Sequence, residues 1–214
     1  MNYDNKPSNY YSSIRFDMLK FLPNNAKTIL EVGCGNGAFA QEIMNSREAE
    51  IWGIEMMEEP ANEAKQKMHK VFIGECEKFI DDLPDNYFDV IYFNDVLEHI
   101  FDPGDVLKKI KQKLKSNGVV ISSIPNARFY RTLKMYVFGK DWKYEDSGIM
   151  DFTHIKFYTK KSIKRLYEDA GYRVKTNEGI NKTSSLTPYI YNLFFLFRQM
   201  DIFYLQYATV ASKE

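Results

Sequence analysis

Glu31-Val32-Gly33-Cys34-Gly35-Asn36-Gly37 closes a short apolar run, and Glu55 follows 20 residues after Gly35. Glycines in such a turn let the backbone bend sharply and approach a ligand where a Cβ would collide. The amides of the turn and of the next helix's N-terminus then face a negative group. A carboxylate at Glu55 can accept both hydroxyls of a ribose and would repel a 2′-phosphate. Gly33, Gly35 and Ala38 also satisfy the dinucleotide pattern G-x-G-x-x-A. From these residues alone a nicotinamide-dependent oxidoreductase, another nucleotide-like ligand and a plain glycine turn all stand.

The remaining reactive side chains are few. Of three histidines, His69 suits a structural place at a helix C-terminus. His99 and His154 are candidate general bases, since imidazole titrates near about pH 6.5. Asp151, three residues before His154, is expected to orient that ring. Cys34 and Cys76 cannot form a disulfide framework and make a poor zinc pair. The carboxylates near the turn are accounted for by nucleoside contacts, so no metal is expected.

These groups need elements to hold them. Thr28–Gly33, Glu50–Glu55, Val71–Gly74, Phe88–Phe93 and Val119–Ile124 read as apolar strands, with helical patterns between them. A short helix is expected over Glu75–Leu83, and Asn117-Gly118 is expected to end the helix that starts at Asp102-Pro103. Strands alternating with helices mean a doubly wound parallel sheet covered on both faces, with a crevice at the strands' C-terminal ends. Regularity breaks over residues 126–158, resumes with a helix from Thr159 to Gly171 and a strand over Tyr172–Thr176, and breaks again over residues 178–201. A terminal strand near Tyr204–Ala211 closes the chain. The expectation is one domain over residues 1–214 with two inserts. In the first insert, aromatic and basic residues alternate. Arg128, Tyr130, Trp142 and Tyr144 are its candidate acceptor-binding residues, as a lid that stacks on a ring and holds an anion. The second insert reads as cap core, a dimer surface or an interfacial patch.

Composition narrows the class. Twenty-nine basic and 29 acidic residues cancel, which argues against non-specific nucleic-acid binding. Neither a signal-peptide pattern at Met1–Pro7 nor an apolar run of about 20 residues is present, so a reduced, cytoplasmic protein is expected.

Taken with Glu31 ahead of the glycines and Asn94-Asp95 after the fourth strand, the chain resembles the class I S-adenosylmethionine-dependent methyltransferases. The similarity runs from about Thr28 to Pro125. It rests on Glu31–Gly37, Glu55-Met56, Gly74-Glu75-Cys76-Glu77, Phe88–His99 and Leu114–Val120 falling in order. The resemblance implies a Rossmann-like seven-stranded sheet with an antiparallel last strand, and S-adenosylmethionine as cofactor. It places Glu31, Gly33, Gly35 and Gly37 around the cofactor, Glu55 on the ribose and Met56 on the adenine. Glu75, where aspartate is commoner, and the Cys76 amide would face the adenine amino edge, and Asn94 and Asp95 the methionine and ribose. Tyr10, Tyr11 and Arg15 would close over the site. Asp151–Thr159 resembles a segment of methyltransferases from bacterial surface-polysaccharide and small-molecule pathways, which implies a small-molecule acceptor such as a sugar or nucleotide-sugar, methylated on oxygen or nitrogen. An NAD-dependent oxidoreductase and a non-catalytic adenosylmethionine-binding protein are the rival readings. Glu31 and Asn94-Asp95 speak against the first.

Overall fold

Short β-branched and aromatic runs form seven strands: β1 (Thr28–Val32), β2 (Glu50–Glu55), β3 (Lys70–Ile73), β4 (Phe88–Asn94), β5 (Leu114–Pro125), β6 (Tyr172–Lys182) and β7 (Tyr204–Lys213). The computed structural model describes residues 14–213, so Tyr10 and Tyr11 lie outside the described residues. One sheet has the order β3-β2-β1-β4-β5-β7-β6. The first five strands pair in parallel, and β7 is antiparallel to both β5 and β6. Strand order reverses between β1 and β4, so the chain leaves the sheet in opposite directions there and opens a crevice at the C-terminal edge.

Helices cover both faces: α1 (Phe16–Leu19), α2 (Ala38–Ser46), α3 (Glu58–Ala64), α4 (Pro103–Ile110), α5 (Tyr130–Val137), α6 (Lys160–Asp169) and α7 (Thr187–Phe194). One core layer packs α4 and α6 through Val106, Leu107, Ile110, Ile163 and Tyr167 onto Leu30, Ile91, Phe93 and Val120. The other packs α2 through Phe39, Ala40 and Ile43 onto Ile29, Ile51, Val90 and Tyr92. Local sequence starts these helices. Asp102 accepts the Asp105 N–H at 3.0 Å with Pro103 in the first turn, and Thr159 and Ser162 form a reciprocal capping box.

Three expectations are corrected. Residues 75–83 make a single 3₁₀ turn, Cys76–Lys78, followed by further tight turns rather than a helix, because all but one of their bonded amides, that of Ile80, donate three residues back. Helix α4 ends at Ile110, and Asn117-Gly118 lies inside β5. There the pairing shifts between Phe88↔Leu114 and Val90↔Val119, and the bulge absorbs the polar residues. The stretch 178–201 is largely regular: β6 continues to Lys182, and α7 and a 3₁₀ turn (Met200–Phe203) follow.

The two inserts join. Asn126 Nδ2 donates to the carbonyls of Asp201 and Tyr204, each at 2.9 Å. Phe129, Tyr130, Ile149 and Met150 of the first insert pack with Ile202 and Phe203 of the second. Together they make a cap with its own small core at the C-terminal edge of the sheet.

Candidate active site

The crevice is a cleft of about 1100 Å³ over the ends of β1, β2 and β4. Its floor is the turn after β1. Gly33 has φ +72°, and a Cβ there would stand 2.5 Å from Val96 Cγ2, so both conformation and space require glycine. The N–H groups of Gly33 and Cys34 donate to the Ile54 carbonyl at 2.8 and 3.2 Å, which ties the turn to β2. Glu55, at the end of β2, then locks the turn: its Oε2 accepts the Gly35 N–H at 2.8 Å and its Oε1 the Met57 N–H at 2.9 Å. A carboxylate has about four lone-pair sites, so two remain for a ligand.

Charge is concentrated beneath this turn. Burial, and after it the Glu55 carboxylate, pushes the Glu31 carboxyl well above its ordinary range; burial alone raises Glu55. Among the described residues, Glu31 Oε2 and both side-chain amide atoms of Asn94 are buried with no hydrogen bond of normal geometry, though the Asn94 amide lies close enough to Glu31 to ease its carboxyl down. Unpaired buried polar groups cost roughly 1–3 kcal/mol each. Both residues line the cleft, where a ligand could reach them. Asp95 also lines the cleft, in the left-handed region at φ +56°. Its carboxylate is held from the far side by Arg15, by the Ser123 hydroxyl and by the Gln206 amide. Arg15 also donates to Asp17 and Ser123, so the start of the described chain is strapped across this edge.

The cleft brings together Glu31, Gly33, Gly35, Glu55, Met56, Glu75, Cys76, Asn94, Asp95 and His99, with Ile100, Phe101, Ser147 and Ile155 at its mouth. Gly37 is absent from that lining. It sits at φ +77° as α2 begins, where a Cβ would meet Ala64 Cα at 3.2 Å, so it serves helix packing. The four candidate acceptor-binding residues are also absent from the lining. Arg128 is engaged by Asp201 and Gln199, and Tyr130 belongs to the cap core. Trp142 and Tyr144 pack on Phe157, with centroids 5.1 and 6.3 Å away, and both are exposed. Their aromatic character serves cap cohesion, a use that composition alone does not separate from ligand stacking.

The histidines end up side by side, with ring centroids 4.6 Å apart. His99 Nδ1–H donates to the Thr153 carbonyl at 3.0 Å, and His154 Nδ1–H to the Ile149 carbonyl at 2.9 Å. The Ile149 carbonyl orients the His154 ring, and Asp151 Oδ1 accepts from the Thr153 N–H and hydroxyl. His154 is buried behind His99 and does not line the cleft. Beside the pair lies Glu98, which sequence reasoning did not single out. It is 1% exposed, and among the described residues neither carboxylate oxygen has a hydrogen-bond partner. The only signal for it was its place directly before His99. The expectation that no ligand cluster remains is corrected, because Glu98, His99 and His154 offer ligand atoms all within 4.8 Å of one another.

A doubly wound sheet ending in an antiparallel strand, with a glycine turn and two acids at its switch point, defines a nucleoside-binding transferase of the class I type. Comparison with known proteins agrees. The family model for the methyltransferase domain matches residues 9–177. A ubiquinone biosynthesis O-methyltransferase of Aeromonas salmonicida is 29% identical over 94% of this chain and 84% of its own. Its counterpart in Haemophilus ducreyi is 34% identical over 62% of this chain and 58% of its own. Among solved structures, a SAM-dependent methyltransferase from Archaeoglobus fulgidus has TM-score 0.72 at 21% identity, covering 92% of this chain and 91% of its own. A magnesium protoporphyrin IX methyltransferase from Synechocystis, solved with bound SAH, has TM-score 0.57 at 14% identity, covering 87% of this chain and 74% of its own. The chain belongs to the methyltransferase-domain family, and it is an S-adenosylmethionine-dependent enzyme. The unpartnered Glu31 oxygen and Asn94 amide fit a ligand that carries both an ammonium and a carboxylate.

Proposed function

We propose that the enzyme methylates a hydroxyl oxygen of a small, largely apolar acceptor. The carrying observation is the mouth of the cleft. Ile100, Phe101 and Ile155 form an apolar wall, Phe101 is 84% exposed, and His99 and Ser147 are the polar groups beside them. That wall suits a ring or chain with one hydroxyl better than a sugar, which would set several hydroxyls against apolar carbon. The relatives named as O-methyltransferases of ubiquinone biosynthesis support oxygen as the acceptor atom.

The chain's own residues hold the reactants. Glu55 takes the ribose hydroxyls, Glu31 and Asn94 the amino-acid end, Met56 packs on the adenine, and Glu75 with the Cys76 amide faces the adenine edge. When bound, the cofactor supplies an electrophilic methyl on sulfonium. Alignment and exclusion of water are then the main requirements. His99, on the cleft wall, stands at the acceptor hydroxyl, with His154 behind it.

The cap supplies a second surface. Exposed Leu186, Ile190, Leu193, Phe194 and Leu196 on and after α7 meet Tyr136, Val137 and Phe138 at the end of α5, where Phe138 stacks on Tyr191 at 5.7 Å. Residues 129–143 carry Arg131, Lys134, Lys140 and Lys143 against Asp141 alone. Residues 183–200 carry Arg198 and no acid. In a chain with no net charge, this concentration of cations around apolar side chains supports contact with an anionic lipid surface. Among the described residues no helix is long and apolar enough to cross a membrane.

The test is incubation with methyl-labelled S-adenosylmethionine and two acceptor panels, apolar hydroxyl compounds and free sugars. Label in the first panel as a methyl ether is expected. Label only on sugars or on amines overturns the reading.

A further inference from the structure

We propose that Glu98, His99 and His154 bind a divalent metal ion of the zinc class at the acceptor end of the cleft. Two independent features carry this. The first is how the imidazoles are held. Each donates its Nδ1–H to a backbone carbonyl, His99 to Thr153 and His154 to Ile149. That fixes the tautomer in which Nε2 keeps the lone pair. A metal-ligating histidine is ordinarily set this way, its other nitrogen tied to a carbonyl or carboxylate.

The second feature is Glu98. Its carboxylate is buried, and among the described residues neither oxygen has a hydrogen-bond partner. Backbone atoms lock it in place, since the Glu98 carbonyl accepts both the Ile155 and Lys156 N–H groups at 3.1 Å. Among the described residues, His154 Nε2 stands 3.9 Å from Oε1, too far for a hydrogen bond. Asp95 and Asp151 stand near enough to add negative charge, against the single guanidinium of Arg15. A buried carboxyl group without a hydrogen-bond donor either keeps its proton or takes a cation in its place.

Two imidazoles and one carboxylate are a borderline donor set, suited to zinc, cobalt or iron(II) rather than to magnesium or calcium. Ligand atoms bonded at about 2.0–2.2 Å stand about 3.4 Å apart in a tetrahedron. The present spread of up to 4.8 Å therefore closes by at most about 1.4 Å on loading, within the reach of side-chain rotation. Three protein ligands leave a coordination position open, as catalytic rather than structural sites do. His99 lines the cleft, so that position faces the acceptor.

The role of the site in turnover rests on the O-methylation reading above; the binding itself does not. A hydroxyl on the ion loses its proton to solvent more readily. The oxygen then forms the bond to the methyl carbon as the sulfur–carbon bond breaks, its electron pair returning to sulfur. The products are a methyl ether, a neutral thioether and one released proton.

The experiment uses chelator-stripped full-length protein titrated with Co²⁺ and followed by its visible d–d absorption, with displacement by Zn²⁺. One equivalent should bind, with bands of low-coordinate cobalt that bleach on zinc addition. Glu98→Gln and His154→Asn should each weaken Co²⁺ binding at least tenfold. S-adenosylhomocysteine calorimetry on the same samples reports the fold and the cofactor site separately. Wild-type protein that binds S-adenosylhomocysteine but takes up no stoichiometric Co²⁺ overturns the metal site and leaves the methyltransferase intact. Equal Co²⁺ affinity in both variants overturns the ligand assignment.

Discussion

Replacing Glu55 by glutamine keeps the size of the side chain and removes its charge. In the free protein Glu55 joins the two walls of the cleft through the Gly35 and Met57 N–H groups, one to each oxygen. Glutamine offers one oxygen and one NH₂, so one of those amides loses its acceptor, a cost of about 1 kcal/mol. Burial disfavours the charged form, as its raised pKa records, so removing the charge returns a comparable amount. Stability of the free protein should therefore change by less than about 1 kcal/mol. Binding has no such compensation. A bidentate ribose contact to a carboxylate becomes one neutral hydrogen bond and one mismatch, a loss of about 1.5–3 kcal/mol. That corresponds to roughly 10- to 150-fold weaker binding. Calorimetric titration with S-adenosylhomocysteine reads the affinity, and thermal unfolding without ligand reads the stability. An unchanged affinity would falsify the ribose assignment; a large fall in Tm with proportionate loss of binding would make Glu55 a purely structural lock.

Other outcomes follow from the same geometry. Glu31 and Glu55 have raised pKa values in the free protein, so they destabilise it as pH rises through those values and are best tolerated below the ordinary carboxylate range. A cationic ligand demands their ionised forms. Affinity for S-adenosylmethionine should rise as pH increases above the ordinary carboxylate range, with proton release seen as a buffer-dependent binding enthalpy; a flat profile contradicts it. Gly33→Ala should lower Tm and abolish cofactor binding, since its Cβ has no room beside Val96; retention of wild-type binding would show that the turn relaxes freely. Sedimentation with phosphatidylglycerol vesicles should carry the protein down at low salt, and Phe194→Ser with Leu196→Ser should release it. A concentration-dependent dimer with no vesicle binding would assign that face to a second copy instead.

The sheet was legible because the central stretches of its first five strands are largely apolar and separated by glycine turns and capped helices, signals that need no tertiary context. Strand β6 was underestimated beyond Thr176. Its outer residues are polar, and only pairing with β7 through Asn177↔Thr209 to Lys182↔Tyr204 keeps it extended. At the site, acids and glycines close to strand ends could be read by position along the chain. The inward or outward face of cap residues could not, so Arg128, Tyr130, Trp142 and Tyr144 were placed on a ligand when they hold the cap together. Glu98, His99 and His154 were hidden for another reason. They meet only because residues 149–156 fold back along the loop after β4, a contact between segments about 50 residues apart.

The central claim is that the cleft over β1, β2 and β4 holds the methyl donor. A crystal structure of the protein saturated with S-adenosylhomocysteine tests it most directly. The account predicts the ribose hydroxyls on the Glu55 carboxylate, the amino group at Glu31 and the sulfur directed toward His99. Nucleoside density at any other place, or an empty cleft in crystals grown at saturating ligand, would contradict it.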